Sequence, residues 1–196
     1  MASPAPPLPV VYAIRHGETA WSLSHQHTGR TDIPLTERGE RDARALESRL
    51  RDVAFAHVWS SPLTRARRTA ELAGFAGRIE TDDDLREWDY GAYEGRRTSE
   101  IRAERPGWNP FVDGCPGGEN VADVGARADR VLARLRAVHG NVAVFAHRDI
   151  LRVLIARWIE LPAQEGRRLY LETSSISVLG YDHDLSEPVI RTLNRV

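Results

Sequence analysis

Apolar positions along the chain follow two rhythms. Short runs rich in β-branched residues at 10–14, 53–59, 141–146, 175–181 and 188–193 predict buried strands. Between them, apolar residues recur every three or four positions. Gly39, Ala43, Leu46 and Leu50 share one face of a helix predicted over 37–51. Thr36 is placed to cap it, and the pairs Glu37–Arg41 and Glu40–Arg44 support its wet face. A second helix runs from Asn120 to about residue 138, burying Val121, Val124, Ala128, Val131, Leu135 and Val138. A third begins with Pro62 near its first position and stops at Gly74. Residues 150–159 are nearly all apolar apart from Arg152 and Arg157, which predicts a buried helix, in the core or at an interface between copies. Segments 20–34 and 105–118 read as loops; the second holds three prolines, four glycines, Trp108 and Phe111.

Strands that alternate with helices predict an α/β fold: a three-layer α/β/α sandwich around a mostly parallel central sheet. There is no internal repeat and no linker long enough to divide the chain, so residues 10–196 are expected to form one domain. Residues 1–9 are Pro-rich, with neither a basic stretch nor an apolar one, and are expected to be a flexible tail rather than a signal peptide.

Composition narrows the function. The chain has 196 residues, with 27 Lys and Arg against 28 Asp and Glu, for a net charge of -1. The basic excess that accompanies nucleic-acid binding is missing, so no nucleic-acid partner is expected. No apolar run approaches ~18 residues, so no membrane span is expected. Cys115 is the only cysteine, which forbids an intrachain disulfide. These features point to a cytoplasmic protein; the apolar 150–159 helix leaves monomer or homodimer open.

The candidate chemistry lies where strands end. The first strand runs into Arg15-His16-Gly17-Glu18-Thr19. Open α/β sheets bind ligands at the carboxyl ends of their strands. There Arg offers a permanently charged fork suited to phosphate, and His a nitrogen that is nucleophilic when neutral. The second strand leads into Ser61 and a helix whose first turns carry Arg65, Arg67 and Arg68. Cations there oppose the helix dipole, and a bound anion would justify one of them; Arg65 is nearest the strand end. The third strand ends at His147. Glu87, beside Trp88, is a candidate general acid, because a carboxyl packed near aromatics has a raised pKa. His25 and His27 lie in a solvated or pocket-lining loop; no Cys, His or carboxylate is spaced to complete a metal site with them. Trp21, Trp108, Phe111 and Tyr93 are open between pocket and core.

With these residues in view, positions 10–193 resemble the histidine phosphatase superfamily and its phosphoglycerate mutase-like fold. Arg15-His16-Gly17-Glu18-Thr19 resembles the family signature. Thr28-Gly29, Ser61-Pro62-Leu63-Thr64-Arg65-Ala66, Leu85-Arg86-Glu87 with Tyr90-Gly91 and Glu94-Gly95, Gly117-Gly118-Glu119, and Phe145-Ala146-His147 resemble its further motifs in the family's order. Residues 83–95 and Asp113-Gly114-Cys115 are similar to acid or sugar phosphatases, including sedoheptulose bisphosphatase-like members. The resemblance implies a phosphomonoester hydrolase that acts on small phosphorylated metabolites, without metal or cofactor, through a phosphohistidine. It implies that His16 is the nucleophile and Glu87 the proton donor. It also implies that Arg15, Arg65 and His147 bind phosphoryl oxygens, with Ser22 and Thr28 also counted in the phosphate site and His147 a catalytic residue too.

Two departures stand out. Mutases of the family carry Trp-Asn where this chain has Trp21-Ser22, and an arginine-rich insertion that the 96–110 segment is too short to hold. Both favour hydrolysis over the alternative, a phosphoglycerate mutase. The other departure is Arg148, where the family usually has Gly. Either it salt-bridges a surface carboxylate, or it holds a second anionic group on the substrate. A non-catalytic phospho-ligand-binding member is the remaining alternative.

Overall fold

The computed structural model describes residues 8–196. The expected tail falls mostly outside them; of its last two residues, Leu8 is half-buried and packs against the larger core, and Pro9 is buried. Among the described residues, six strands form one sheet: β1 (Val10–Arg15), β2 (Phe55–Ser60), β3 (Ile79–Thr81), β4 (Asn141–Ala146), β5 (Ile176–Tyr181) and β6 (Pro188–Arg195). Seven α-helical segments accompany them: α1 (Ala20–Leu23), α2 (Glu37–Leu50), α3 (Thr64–Ala70), α4 (Thr98–Glu104), α5 (Pro110–Asp113), α6 (Val121–Arg136) and α7 (Arg148–Trp158). The strand order is β3-β2-β4-β1-β5-β6. β1, β2, β3 and β4 run parallel, and β5 runs antiparallel to both of its neighbours.

The central strand β4 shows why the sheet is covered on both faces. Successive side chains on a strand point to opposite sides. Val142, Val144 and Ala146 enter one apolar cluster with α6 and α7, while Ala143 and Phe145 enter another with α2. Both faces of the sheet therefore carry helices, as the apolar runs predict. The capping expectations hold as well. Thr36 accepts from Gly39 N, and Asn120 from Ala122 N and Asp123 N.

Helix α7 is buried along almost its whole length. This settles the open reading of residues 150–159: the helix is core. Ile150, Leu151, Leu154, Ile155 and Trp158 are shielded from solvent, and each such side chain contributes about 1.5–3 kcal/mol of burial. That anchoring fixes the helix N-terminus next to the end of β4.

Several elements depart from the sequence reading. Pro62 precedes α3 instead of sitting in its first turn, and Leu63 occupies the cap position. The helix ends in a π-type turn, Glu71–Phe75, and Gly74 there takes φ +93. β3 escapes the pattern because it is three residues long and largely exposed. α4 buries only Ile101, so it leaves no apolar rhythm. The 105–118 loop contains α5, and its Trp108 and Phe111 are core residues. Tyr93 is core too. Within 20–34, α1 buries nothing and is held by a capping box between Thr19 and Ser22. Among the described residues, no helix is long and apolar enough to cross a membrane.

Candidate active site

Strand register brings the site together. Arg15 pairs with Ala146 across β1 and β4, and Ser60 with Phe145 across β2 and β4. The ladder continues past the strand ends: His16 N donates to Ala146 O, and Ser61 N to Phe145 O. Arg15, His16, Ser61 and His147 thus meet at one sheet edge.

The loop after β1 has room for no side chain at Gly17. A Cβ there would lie 2.6 Å from Gly39 O, and one on Gly39 would lie 2.2 Å from Glu18 O. The two glycines let α2 press its first turn against the loop. Gly17 N also donates to Thr69 Oγ1 on α3.

His16 lies 2.7 Å, through Nδ1, from Gly17 O. A carbonyl only accepts, so Nδ1 carries the proton and Nε2 keeps its lone pair. Burial, and then the charges of Arg65 and Arg15, hold the imidazole pKa well below its ordinary value. His16 is therefore a neutral base with a free nitrogen.

Arg15 gives Nη1 to Leu171 O at 2.7 Å, but its buried Nε has no partner among the described residues. Burial and the charge of Arg148 lower its pKa to about 10, so the group stays charged. A buried cationic donor left open is costly unless an anion meets it.

Beneath His16 lies His147, its ring centroid 5.1 Å away. Arg65 Nε donates to His147 Nδ1 at 3.1 Å. The proton is therefore on Nε2, which faces Ser61 Oγ at 2.7 Å. Arg65 is fully buried, and its other donors go to Thr28 O, Gly29 O and Thr31 O. Arg65 and His147 form a layer behind His16, and neither lines the cavity in front of it.

Glu87 is brought in from the other side by α7. Its Oε1 accepts from Trp88 N at 2.9 Å and Ile150 N at 3.0 Å, and its Oε2 from Asp149 N at 3.0 Å. Its pKa is raised first by burial and then by the Asp149 charge, against the pull of those three N–H groups. The cause differs from the sequence argument. The Trp88 ring packs on Phe111 and its indole donates to Glu119 O, so it belongs to the core and not to the acid.

Arg15, His16 and Glu87 line one cavity of about 570 Å³. His25 and His27 also line it, as the pocket-loop reading expects. His27 sits against Tyr90 and Trp108 and reaches Thr98 Oγ1.

Residues 11–195 match the sequence model of the Histidine phosphatase superfamily (branch 1). This chain belongs to the histidine phosphatase superfamily. An acid phosphatase of Mycobacterium tuberculosis is 40% identical over 179 residues, spanning 89% of this chain and 87% of that protein. A sedoheptulose 1,7-bisphosphatase of Saccharomyces cerevisiae is 37% identical, over 87% of this chain and 74% of that protein. A probable phosphoglycerate mutase of Erwinia tasmaniensis is 36% identical, over 90% and 86% respectively. The solved structure of a Mycobacterium tuberculosis open reading frame superposes with a TM-score of 0.90 at 37% identity, covering 95% of this chain and 97% of that one. The family fold is thus the fold described above.

Ser22 and Thr28, which the resemblance places in the phosphate site, line the cavity, with their hydroxyls engaged locally. Ser22 Oγ donates to Thr19 O and accepts from Thr19 N, and Thr28 Oγ1 donates to Gln26 O. Other cavity residues escaped the sequence reading. Tyr90 and Asp149 lie within or beside recognised motifs, so proximity was an available signal. Tyr170 and Glu172 sit on an irregular segment with no periodicity to mark it.

Proposed function

We propose that this histidine phosphatase hydrolyses phosphomonoesters of small metabolites, without metal, through a phosphohistidine at His16. The observation that carries the reading is the pairing of Nδ1-protonated His16 with the open buried Nε of Arg15. One supplies a lone pair and the other a cationic donor at the start of the same loop.

In the first step His16 Nε2 attacks phosphorus and the P–O ester bond breaks. Glu87 gives its proton to the departing oxygen, which leaves as an alcohol. Water then attacks the phosphohistidine, Glu87 takes back a proton, and phosphate is released with Nε2 free again. Arg15 stabilises the charge on the phosphoryl oxygens throughout. Arg65 adds its charge from behind His16. In this reading His147 turns its Nε2–H from Ser61 to a phosphoryl oxygen once ligand is bound. Ser22 and Thr28 contribute cavity wall and, through their lone pairs, contacts to the ester's hydroxyls.

A mutase needs a grip on a second phosphate that returns the group to the substrate. The arginines of the 96–105 segment do not supply it. Arg96 is bound to Glu104, Arg97 to Ser24 O and Arg102 to Trp108 O, while Arg105 lies by Tyr93 and Asp113. None of them lines the cavity. We read the protein as cytoplasmic, consistent with the single buried thiol of Cys115. We leave its assembly as monomer or homodimer, since α7 is spent on the core.

The test is turnover of p-nitrophenyl phosphate with and without EDTA, followed by trapping of the phosphoenzyme. Turnover unaffected by EDTA, with an acid-labile and alkali-stable phosphoenzyme, supports the reading. Absence of turnover overturns it. Conversion of 3-phosphoglycerate to its 2-isomer without net release of phosphate would turn the assignment to a mutase.

A further inference from the structure

Arg148 faces the same cavity with its donors open. It is the first residue of α7, where a cation works against the helix dipole. Among the described residues its ion contact is Nε to Asp149 Oδ1 at 3.9 Å, too long for a hydrogen bond. That carboxylate is already taken, by Arg152 at 2.7 Å and Tyr90 OH at 2.9 Å. The expected surface salt bridge is not what holds this side chain. Its guanidinium carbon lies 5.7 Å from the centre of the Tyr170 ring. Tyr170 is itself braced, donating its hydroxyl to Glu172 Oε1 at 2.8 Å. A cation over a ring is held in place without spending an N–H donor.

The other charges on the cavity are accounted for. Glu18 accepts from Thr36 Oγ1, and Arg38, exposed on the rim, has its charge shared between Glu18 at 4.0 Å and Asp42 at 3.7 Å. Glu87 is held by three backbone N–H groups, and Glu172 by Tyr170. Arg15 is assigned to the phosphoryl group. Arg148 remains as a cation held over Tyr170, with no hydrogen-bonded partner among the described residues and no task. After burial, its charge is the next influence lowering the Arg15 pKa, so the two cations act on one shared space. A cavity of about 570 Å³ has room for more than a phosphoryl group.

We infer that Arg148 binds a second anionic group, carboxylate or phosphate, on the same substrate whose phosphoryl group meets Arg15 and His16. The assignment rests on the phosphatase reading for the placement of that first group. It narrows the substrate to phosphomonoesters that bear another anion.

Matched esters test it. 3-Phosphoglycerate and glycerol 3-phosphate differ in one carboxylate; fructose 1,6-bisphosphate and fructose 6-phosphate differ in one phosphate. In the unaltered protein, kcat/KM should favour the member with the extra anion by about ten- to a hundred-fold in at least one pair, the range of a charge-assisted hydrogen bond. Arg148→Met should bring that ratio down towards one, and Arg148→Lys should recover part of it. Thermal melts check that both variants fold; Arg148→Gln replaces the Met variant if that one does not. The same ratio is measured as equilibrium affinity by calorimetry on His16→Ala, with and without Arg148→Met. If the unaltered protein turns over neither p-nitrophenyl phosphate nor any of these esters, the phosphatase reading fails; where none of the four is turned over, the affinity ratio decides Arg148 by itself. A ratio near one in both pairs, or a ratio that Arg148→Met leaves intact, overturns the assignment.

Discussion

Asp149 donates its backbone N–H to Glu87 Oε2 at 3.0 Å while its own carboxylate is tied to Tyr90 and Arg152. One residue therefore acts on the acid in opposite directions. Its amide favours the Glu87 carboxylate, and its negative charge favours the protonated form. Burial and that charge together outweigh the amides and leave Glu87 raised.

Activity should accordingly follow an acidic bell. The rate requires neutral His16, whose pKa is lowered, and protonated Glu87, whose pKa is raised. The acid limb is His16 gaining a proton; the alkaline limb is Glu87 losing one. Asp149→Asn removes a like charge from beside Glu87, so the Glu87 pKa should fall. In a kcat/KM profile on an alkyl phosphate the alkaline limb should then move to lower pH. A limb that stays in place assigns the alkaline titration to another group.

His16→Ala should abolish turnover and leave the fold intact. Its ring makes its hydrogen bond to Gly17 O, one residue away, so little of the tertiary structure depends on it. No neighbouring nitrogen replaces it, because His147 Nδ1 is occupied by Arg65 and its Nε2 is protonated. Rapid-quench trapping should find no acid-labile phosphoenzyme in this variant. Residual phosphatase activity near the normal rate would exclude His16 as nucleophile.

Glu87→Gln should cost an alkyl phosphate far more than an aryl one. An alkoxide needs a proton to leave, whereas p-nitrophenolate does not. General acid catalysis is typically worth ~10²–10⁴-fold, so the two losses should separate clearly in parallel assays. The substitution also turns an amide NH₂ towards backbone N–H donors that now meet a carboxylate, at about 1–3 kcal/mol of stability. A melting curve separates that cost from the catalytic one. Equal losses on both esters would move the acid role elsewhere.

How much of this was legible depends on what each element buries. β4 reads from sequence because its side chains alternate between two cores, and α2 and α6 because each keeps one apolar face. β3 and α4 bury too little to leave a pattern. At the site, Arg15, His16 and His147 were legible as strand ends. Glu87 was found through its neighbour Trp88, whose backbone N–H lowers its pKa; the upward shift comes from burial and from Asp149, which is 62 positions away in sequence. Nor does spacing reveal that Arg65 is fully buried with its Nη1 and Nη2 donors on backbone carbonyls, because that depends on where the 28–31 loop folds back.

Ser61→Ala tests whether His147 changes partners when phosphate binds. In the structure His147 Nε2–H is given to Ser61 Oγ at 2.7 Å, deep in the protein. Removing the hydroxyl leaves that N–H unsatisfied, which should destabilise the free protein by about 1–3 kcal/mol. Leu63 N loses its longer contact to the same oxygen, at 3.3 Å, with or without ligand. If His147 donates to a phosphoryl oxygen in the complex, the complex escapes the larger loss. The free state is then penalised and the bound state is not, so the variant should bind inorganic phosphate or vanadate more tightly. A penalty of about 1.4 kcal/mol on the free state alone corresponds to a tenfold gain in affinity. Calorimetric titration and thermal melts with and without phosphate measure both sides of this cycle. Unchanged affinity beside a lowered melting temperature would mean that His147 keeps Ser61 in both states, and that it serves the reaction by packing behind His16 without touching the phosphoryl group.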